Sequence, residues 1–511
     1  MDTTPRQDGG AGRPNPDVPT SGERTGPPTP VLEGRSFDYV PPRERHGSLT
    51  SQTQLWFMLN ASFLTAATGT LGVLTGLNLA WSIVAIVLGS VFGTFFQAFH
   101  GAQGPVMGLP QMIQSRAQFG SRGAAIPLAA AAVVQFGFAL FYIQTGANSV
   151  ASVVEAAPMS LLQVLVGVVA LLVALVGYRL VLRAETTVSY LMVATLLFLT
   201  VAMIVKLPIG ELLGQGNFVL APFLLQFAAS ATFQVAIAPV VSDYTRYLPA
   251  KMSGKLISAS VFVGTLTSAI WIEVLGATLA AYDPMVDTVR AFAVLADSVA
   301  PGLAVPVMIV SLLTCLNAVA VALYSGSVAV LSAVDGFREL VSSFALRART
   351  LSIAGVLIII GSLVVPNSIL GSFEIFLALL VYFLIPWTSV NLIDYYVVRK
   401  GVLSVSDILD TDGGMYGRWG RAGIVSYAVG FVAMIPFFST SIWSGPAAEA
   451  LGGADFSFIV GLVVSGCLYL VLTRHLDRAK ELEMVRRAPI NTLDALSQGH
   501  RRVEEEDQLV S

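Results

Sequence analysis

The sequence predicts an all-α polytopic membrane protein of twelve transmembrane helices, built as two five-helix halves of opposite topology followed by two further helices. Three observations carry this reading. Of 511 residues, 55% are hydrophobic and only 12% charged, and the mean hydropathy of +0.73 leaves more apolar surface than a soluble core of this size could hide. The basic residues fall in alternate loops. Two of the apolar segments, five spans apart, are interrupted at mid-membrane by residues that an uninterrupted lipid-facing helix has no use for.

Taken in order, residues 1–50 are rich in Pro, Gly, Thr, Arg and Asp and read as a disordered cytoplasmic tail. No charged start followed by an apolar run precedes Leu55, so no signal peptide is expected. Apolar runs at 53–77, 81–103, 124–152, 158–181, 187–206, 218–241, 257–281, 302–334, 349–366, 371–397, 423–443 and 453–473 give the twelve spans of a transmembrane domain over 51–473. Residues 474–511 read as a short interfacial helix and a second cytoplasmic tail, ending in Arg501-Arg502-Val503-Glu504-Glu505-Glu506-Asp507. Arg116 and Arg122, Arg179 and Arg183, Arg246, Lys251 and Lys255, Arg338, Arg347 and Arg349, and Arg399, Lys400, Arg418 and Arg421 occupy every second loop, while the others hold little beyond Lys206 and Arg290. The positive-inside bias then puts those loops and both termini in the cytoplasm, with the protein in the plasma (inner) membrane. Cys315 and Cys467 lie in separate apolar segments and read as small buried hydrophobes.

Span 6 is the stretch around which the rest is organised. Phe227–Pro249 is apolar enough to cross a bilayer, yet Pro239 removes a backbone hydrogen bond, and Gln234 and Asp243 are costly in hydrocarbon. In span 1, Thr65-Ala66-Ala67-Thr68-Gly69-Thr70-Leu71-Gly72 is expected to break the helix, with Gly69 and Gly72 weakening it and the threonines bonding freed carbonyls. Interruptions at matching positions of two halves entering from opposite sides are the pattern of a LeuT-type inverted repeat, with a site at mid-membrane between spans 1 and 6. Taken singly, each interruption also reads as glycine-mediated helix packing.

Gly108-Leu109-Pro110-Gln111 with Ser115-Arg116 and Phe119-Gly120-Ser121-Arg122-Gly123, then Asp243-Tyr244-Thr245-Arg246-Tyr247, then Asp394-Tyr395-Tyr396-Val397-Val398-Arg399-Lys400-Gly401 resemble the nucleobase–cation symporter family. That group holds the purine–cytosine permeases and the hydantoin and allantoin transporters. The resemblance runs from about Leu55 to about Pro436. It implies a secondary active transporter importing a nucleobase or related flat heterocycle by proton or sodium symport. Hydantoin, allantoin, uracil or a vitamin-like heterocycle are the alternative cargo. Each motif has a plainer reading as well: glycine and proline make turns, and Arg116, Arg246 and Arg399 anchor helix ends at the membrane surface.

Carried over by position, the stacking aromatic of span 3 that follows a glycine falls on Phe138, after Gly137. Tyr142 stands one turn on, where a polar residue would bond the ring edge, with Gln144 nearby. The second stacking position, nine residues before Asp243, holds Gln234, a departure, with Phe233 beside it. Either Phe233 stacks, or the ring is clamped from one face and bonded by Gln234. A flat heterocycle independently demands aromatic faces for stacking and amides or hydroxyls for its edge, which Phe138, Tyr142, Phe233, Gln234 and Asn317 offer.

For the coupling ion, the resemblance implies backbone oxygens of broken span 1, around Ala66, Gly69 and Thr70, with hydroxyls of span 8. There Ser311, Thr314 and Asn317 share a helix face. The residues before Ala322-Leu323-Tyr324 are alanine and valine where relatives carry Thr and Asn, so a proton is as good a reading as sodium, with Glu273 and Asp243 the acids to carry it. Asp243 also reads as a lock with Arg246 or a helix end, and His100 as interfacial. No Walker lysine, metal-ligand cluster or nucleophilic triad points to an enzyme. No ring of like charge or repeated filter points to a channel. No organic cofactor, nucleic acid or obligate protein partner is expected; the partners are a small nucleobase-like molecule and the bilayer.

Overall fold

The computed structural model describes residues 39–154, 157–176, 178–340, 343–493 and 495–497. Most of the expected tails, 1–38 and 498–511, and the Arg179 and Arg183 side chains lie outside the described residues. Eight described helices are long and apolar enough to cross a membrane. They are Leu79–Met107, Ala125–Ala151, Thr187–Lys206, Leu220–Thr245, Gly254–Tyr282, Ala304–Asp335, Phe344–Val364 and Gly371–Val398, the expected spans 2, 3 and 5–10. Span 1 is a helix in three pieces, Leu49–Leu59, Phe63–Gly69 and Leu71–Leu74. Spans 4, 11 and 12 are the shorter apolar helices Met159–Val176, Arg421–Met434 and Ser457–Thr473. Leu172 on span 4, Val205 on span 5 and Val364 on span 9 are more than half exposed, as side chains facing lipid tails would be.

The packing carries the inverted repeat. Span 3 lies along span 8 and span 2 along span 7, each against its own counterpart, while the 1–7 and 2–6 contacts exchange when every span is replaced by its mate. So do the 4–8 and 9–3 contacts. Small residues make both members of the central pair possible. A Cβ on Gly276 of span 7 would overlap the carbonyl of Ala66, and one on Gly69 that of Glu273. On the other side of the pseudo-twofold axis, Gly89 and Gly93 of span 2 stand in the same relation to the carbonyls of Phe227 and Ala231 on span 6. Without a hydrophobic drive between helices in lipid, such close backbone approach supplies the dispersion that holds them.

The three sequence motifs meet at one end of the bundle. Asp243 accepts a hydrogen bond from the Gln111 amide (2.9 Å), and Ser242 donates to the Gln111 side chain (2.6 Å). Arg116 pairs with Asp335 (2.9 Å), and Asp394 accepts from Gln118 (2.7 Å). Arg116 and Arg399, expected to anchor at the membrane surface, are buried because each has a carboxylate inside the fold. His100, expected at the interface, is fully buried, its ring stacked on Trp387 at 4.6 Å and bonded to Gln111. Both ends of the described chain close over this same end. Residues 39–48, part of the tail by composition, pack there, with the Val40 amide on the Gly108 carbonyl (2.9 Å) and Arg45 buried against Val40 and Pro105. Helix Arg478–Arg487 buries Glu481 against Arg399, and Thr492 bonds the Gly401 and Leu403 carbonyls.

Candidate functional site

Both broken helices are broken, one of them elsewhere than expected. Span 6 runs as a helix over Leu220–Val235, tightens to a 3-10 turn at Ala238–Val240 around Pro239, and resumes at Val241–Thr245. In span 1 the main break is Asn60-Ala61-Ser62: Ser62 caps the next piece by accepting from the Thr65 amide (3.3 Å). Only a lesser discontinuity falls at Thr70, in the stretch where the break was expected. Gly69 and Gly72 are there for contact with spans 7 and 6, and the threonine hydroxyls bond carbonyls within an intact turn. The signal was present in Asn60-Ala61-Ser62, a cap sequence between two apolar runs.

A cavity of about 120 Å³ lies where the two breaks face spans 3 and 8. Ala61 and Ser62 line it from span 1, Phe233 and Ala236 from span 6, Phe138 and Tyr142 from span 3, and Thr314 and Asn317 from span 8. Phe138 stands edge-on to Phe233 (5.4 Å) and to Phe376 of span 10 (5.3 Å), so neighbouring rings fix its plane. Gly137 makes room, since a Cβ there would strike the Phe376 ring. The Tyr142 hydroxyl lies 3.4 Å from Ser62, and the Asn317 carbonyl oxygen is buried without a hydrogen-bond partner. An amide oxygen left unpaired in such a place is what a ligand N–H would satisfy. The lining continues to Val188, Ser189, Val240, Tyr244 and Ser325, on the motif-bearing halves of spans 5, 6 and 8. At the opposite end, Phe63 of span 1 stacks at 4.3 Å on Phe292 of the connecting helix Thr288–Val299.

Other residues singled out in the sequence lie apart from this cavity. The Gln144 amide donates to the Val365 carbonyl (2.8 Å). Gln234, adjacent to Phe233 but on another face of span 6, is fully buried outside the lining and accepts from Asn60 (3.3 Å). Its bond joins spans 6 and 1, and of the adjacent pair Phe233 is the one that lines the cavity. Gln234→Leu is therefore expected to lower thermal stability by about 0.5–1.5 kcal/mol through loss of the Asn60–Gln234 hydrogen bond between spans 1 and 6, the Asn60 amide keeping Thr265 and Ser268. The rank order of competing bases should stay as in the wild type; an altered order returns Gln234 to the site.

The residues expected to hold a cation have neighbours of their own. Ala66 and Gly69 abut Gly276 and Glu273 of span 7, and Thr70 bonds the Ala67 carbonyl (2.8 Å). Ser311 is bonded to Ser149 of span 3 (2.8 Å), while Thr314 joins the cavity. Asp243 caps the Gln111 turn, and the Arg246 guanidinium donates to the Asp243 carbonyl (3.2 Å). Sequence reasoning passed over Asn60, Ser62, Gln226 and Ser230, short polar residues that are common in membrane helices and gain meaning only from what they face.

A discontinuous-helix membrane transporter is the class that this fold and cavity define. The chain matches the family described as "Permease for cytosine/purines, uracil, thiamine, allantoin" over residues 39–461, and it belongs to that family of nucleobase–cation symporters. It is 34% identical over 447 residues to a putative purine-cytosine permease, YxlA, of Bacillus subtilis strain 168, covering 87% of this chain and 96% of the relative. Among solved structures, its fold is similar to that of Mhp1, a nucleobase-cation-symport-1 family transporter, in a closed conformation with bromovinylhydantoin bound. There the TM-score is 0.69 at 17% identity, covering 88% and 99% of the two chains. The inward-facing conformation of Mhp1 gives 0.70 at 16% identity, covering 89% and 98%. A Na+-coupled sialic acid symporter shares the fold at 0.52 and 10% identity, covering 84% and 98%.

Proposed function

We propose that this permease imports a nucleobase of the purine or cytosine type across the plasma (inner) membrane, by alternating access and in symport with a cation. The observation that carries this reading is the cavity itself. Two helix breaks meet there, Phe138 and Phe233 supply aromatic surface, and Asn317, Tyr142 and Ser62 supply edge groups, one of them an unpaired acceptor. Flat rings with donors on the edge fit such a lining. The family description and the Bacillus relative's name favour cytosine and purines, and the hydantoin bound to Mhp1 makes hydantoin and allantoin the second reading. Cation coupling accords with the family and with the sodium-coupled neighbour of the same fold. The basic alternate loops favour cytoplasmic termini; the cavity lining, continued toward the end those termini cover, then suits an inward-facing state.

A thermal-shift panel of adenine, hypoxanthine, cytosine, uracil, hydantoin and allantoin on purified protein tests the reading, because stabilisation grows with the logarithm of ligand concentration over Kd. Stabilisation by a purine or cytosine is expected, and saturable uptake that collapses with the ion gradients excludes a pore. No shift with any compound would remove the assignment. Phe138→Ala should leave the protein folded and weaken base affinity about ten- to a hundredfold, since base–aromatic stacking is worth about 1–3 kcal/mol. Unchanged competition constants would take Phe138 out of the site.

A further inference from the structure

Behind the cavity lies a second polar centre that the cargo reading does not use. Glu273 of span 7 is fully buried, and Ser230 of span 6 donates to its Oε2. The Gln234 side chain lies close to the carboxyl; its oxygen accepts from Asn60 (3.3 Å), while its Nε2, like Glu273 Oε1, is buried without a hydrogen-bond partner. Gln226 extends the chain from the far side, donating to Ser230 (3.0 Å) and to the Thr68 carbonyl (3.1 Å) while accepting from the Gly72 amide (2.8 Å). Asn60 is the first residue of the span-1 break, and Gln234 precedes the cap residue of the span-6 break by two. The carboxyl is thus bonded to span 6 through Ser230, and its neighbour Gln234 is bonded to Asn60 at the span-1 break.

Among the described residues, no cation is paired with it. The groups set against Glu273 are Gly69 from span 1 and Ser230 and Gln234 from span 6, all neutral. The charged or titratable residues of the other elements packed on span 7, His100, Lys206, Glu211, Asp287, Arg290 and Asp297, sit in end turns or connecting segments. A buried carboxylate without a counter-charge is too costly to persist in that form, and Glu273 Oε1 has no hydrogen-bond partner.

We infer that Glu273 is the proton-binding site of coupling, resting on the reading of the chain as a cation symporter: Oε1 takes a proton from water in the cavity beside Asn60 when that cavity opens to one side, and returns it to water on the other. Losing the proton puts a charge on the Ser230–Gln234–Asn60 chain, and so biases both hinges together. The proton leaves a hydronium ion as water on the side of uptake and makes hydronium from water on the side of release, so each cycle carries one proton across and returns the carboxyl to its starting state.

Full-length protein in liposomes tests this by infrared spectroscopy across a pH series, with Glu273→Gln and Glu273→Asp beside the wild type. The wild type should show a carboxylic-acid carbonyl band that titrates reversibly, is lost in Glu273→Gln and is displaced in Glu273→Asp, the variant that answers if the amide does not fold. In the same vesicles, a lumenal pH dye should report protons entering with cytosine or hypoxanthine. Glu273→Gln should lose that movement while still binding the base in a thermal shift. A wild type without the titrating band, a band displaced by sodium, or a Glu273→Gln protein that still accumulates base on a pH gradient would overturn the proton site. If the band behaves as stated while neither base binds or moves, the cargo reading fails and the proton site stands.

Discussion

Arg399→Ala should cost about 3–5 kcal/mol of stability, the range for removing one partner of a buried ion pair. The guanidinium pairs with Asp394 and, through Nε, with Glu481 at 2.7 Å. Glu481 is also paired to Arg478, and Asp394 accepts from Tyr469 (2.7 Å) and Gln118 (2.7 Å). The two carboxylates and two guanidinium groups balance in charge, and the side chains of Asp394 and Glu481 are 0% and 5% exposed. Without Arg399, Asp394 keeps two neutral donors and a charge that the surroundings do not neutralise. Arg399→Lys should recover only part of the loss, because one ammonium cannot span both carboxylates as the planar fork does. Arg487→Ala is the control: its pair with Glu483 is 78% and 53% exposed and is worth at most about 1 kcal/mol. Thermal unfolding of the three variants in one detergent decides it; equal losses for Arg399→Ala and Arg487→Ala would show that the buried cluster does not hold the end of the bundle.

This cluster also marks what the sequence could and could not say. Asp394 and Arg399 stood out as a motif, but their partners Gln118, Tyr469 and Glu481 lie 276, 75 and 82 positions from the residues they bond. No local pattern announces a pairing of that separation. Fold class was legible because it follows from local quantities: hydropathy over a membrane's thickness, the sign of loop charge, and Pro239 in an apolar run. The span-1 break was misplaced because glycine weakens a helix and also lets helices touch, and only the neighbour decides between the two. Gly69 faces a carbonyl of span 7, so it is a contact.

The cavity was partly legible for a similar reason. Phe138 and Tyr142, one turn apart on span 3, follow from their match to family positions, and Asn317 from the face it shares with Ser311 and Thr314 on span 8. Phe233 and Gln234 are adjacent on one turn and therefore point about 100° apart, so which of them meets the cavity depends on the rotation of span 6. That rotation is set by Gly89 and Gly93 beneath Phe227 and Ala231, a fact of packing that periodicity does not carry.

Gly276→Ala should be among the most damaging single methyl groups that can be added to this protein. The new Cβ would overlap the carbonyl of Ala66, and on neither side is there a flexible side chain to move aside. Relief requires spans 1 and 7 to separate, which also loosens Gly69 from the Glu273 backbone and shifts Asn60 from the Thr265 carbonyl (3.1 Å) and the Ser268 hydroxyl (3.2 Å). Overpacking typically costs about 1–3 kcal/mol and more where backbone meets backbone, so a loss of about 3 kcal/mol or more is expected. Gly210→Ala is the matched control, since a Cβ there meets nothing within 4 Å and alanine is the better helix former. Size-exclusion profiles and melting midpoints of the two variants, prepared identically, give the answer. If Gly276→Ala melts with Gly210→Ala and the wild type, spans 1 and 7 do not pack through this contact, and the hinge position at Asn60 must be held by something other than the glycine seam.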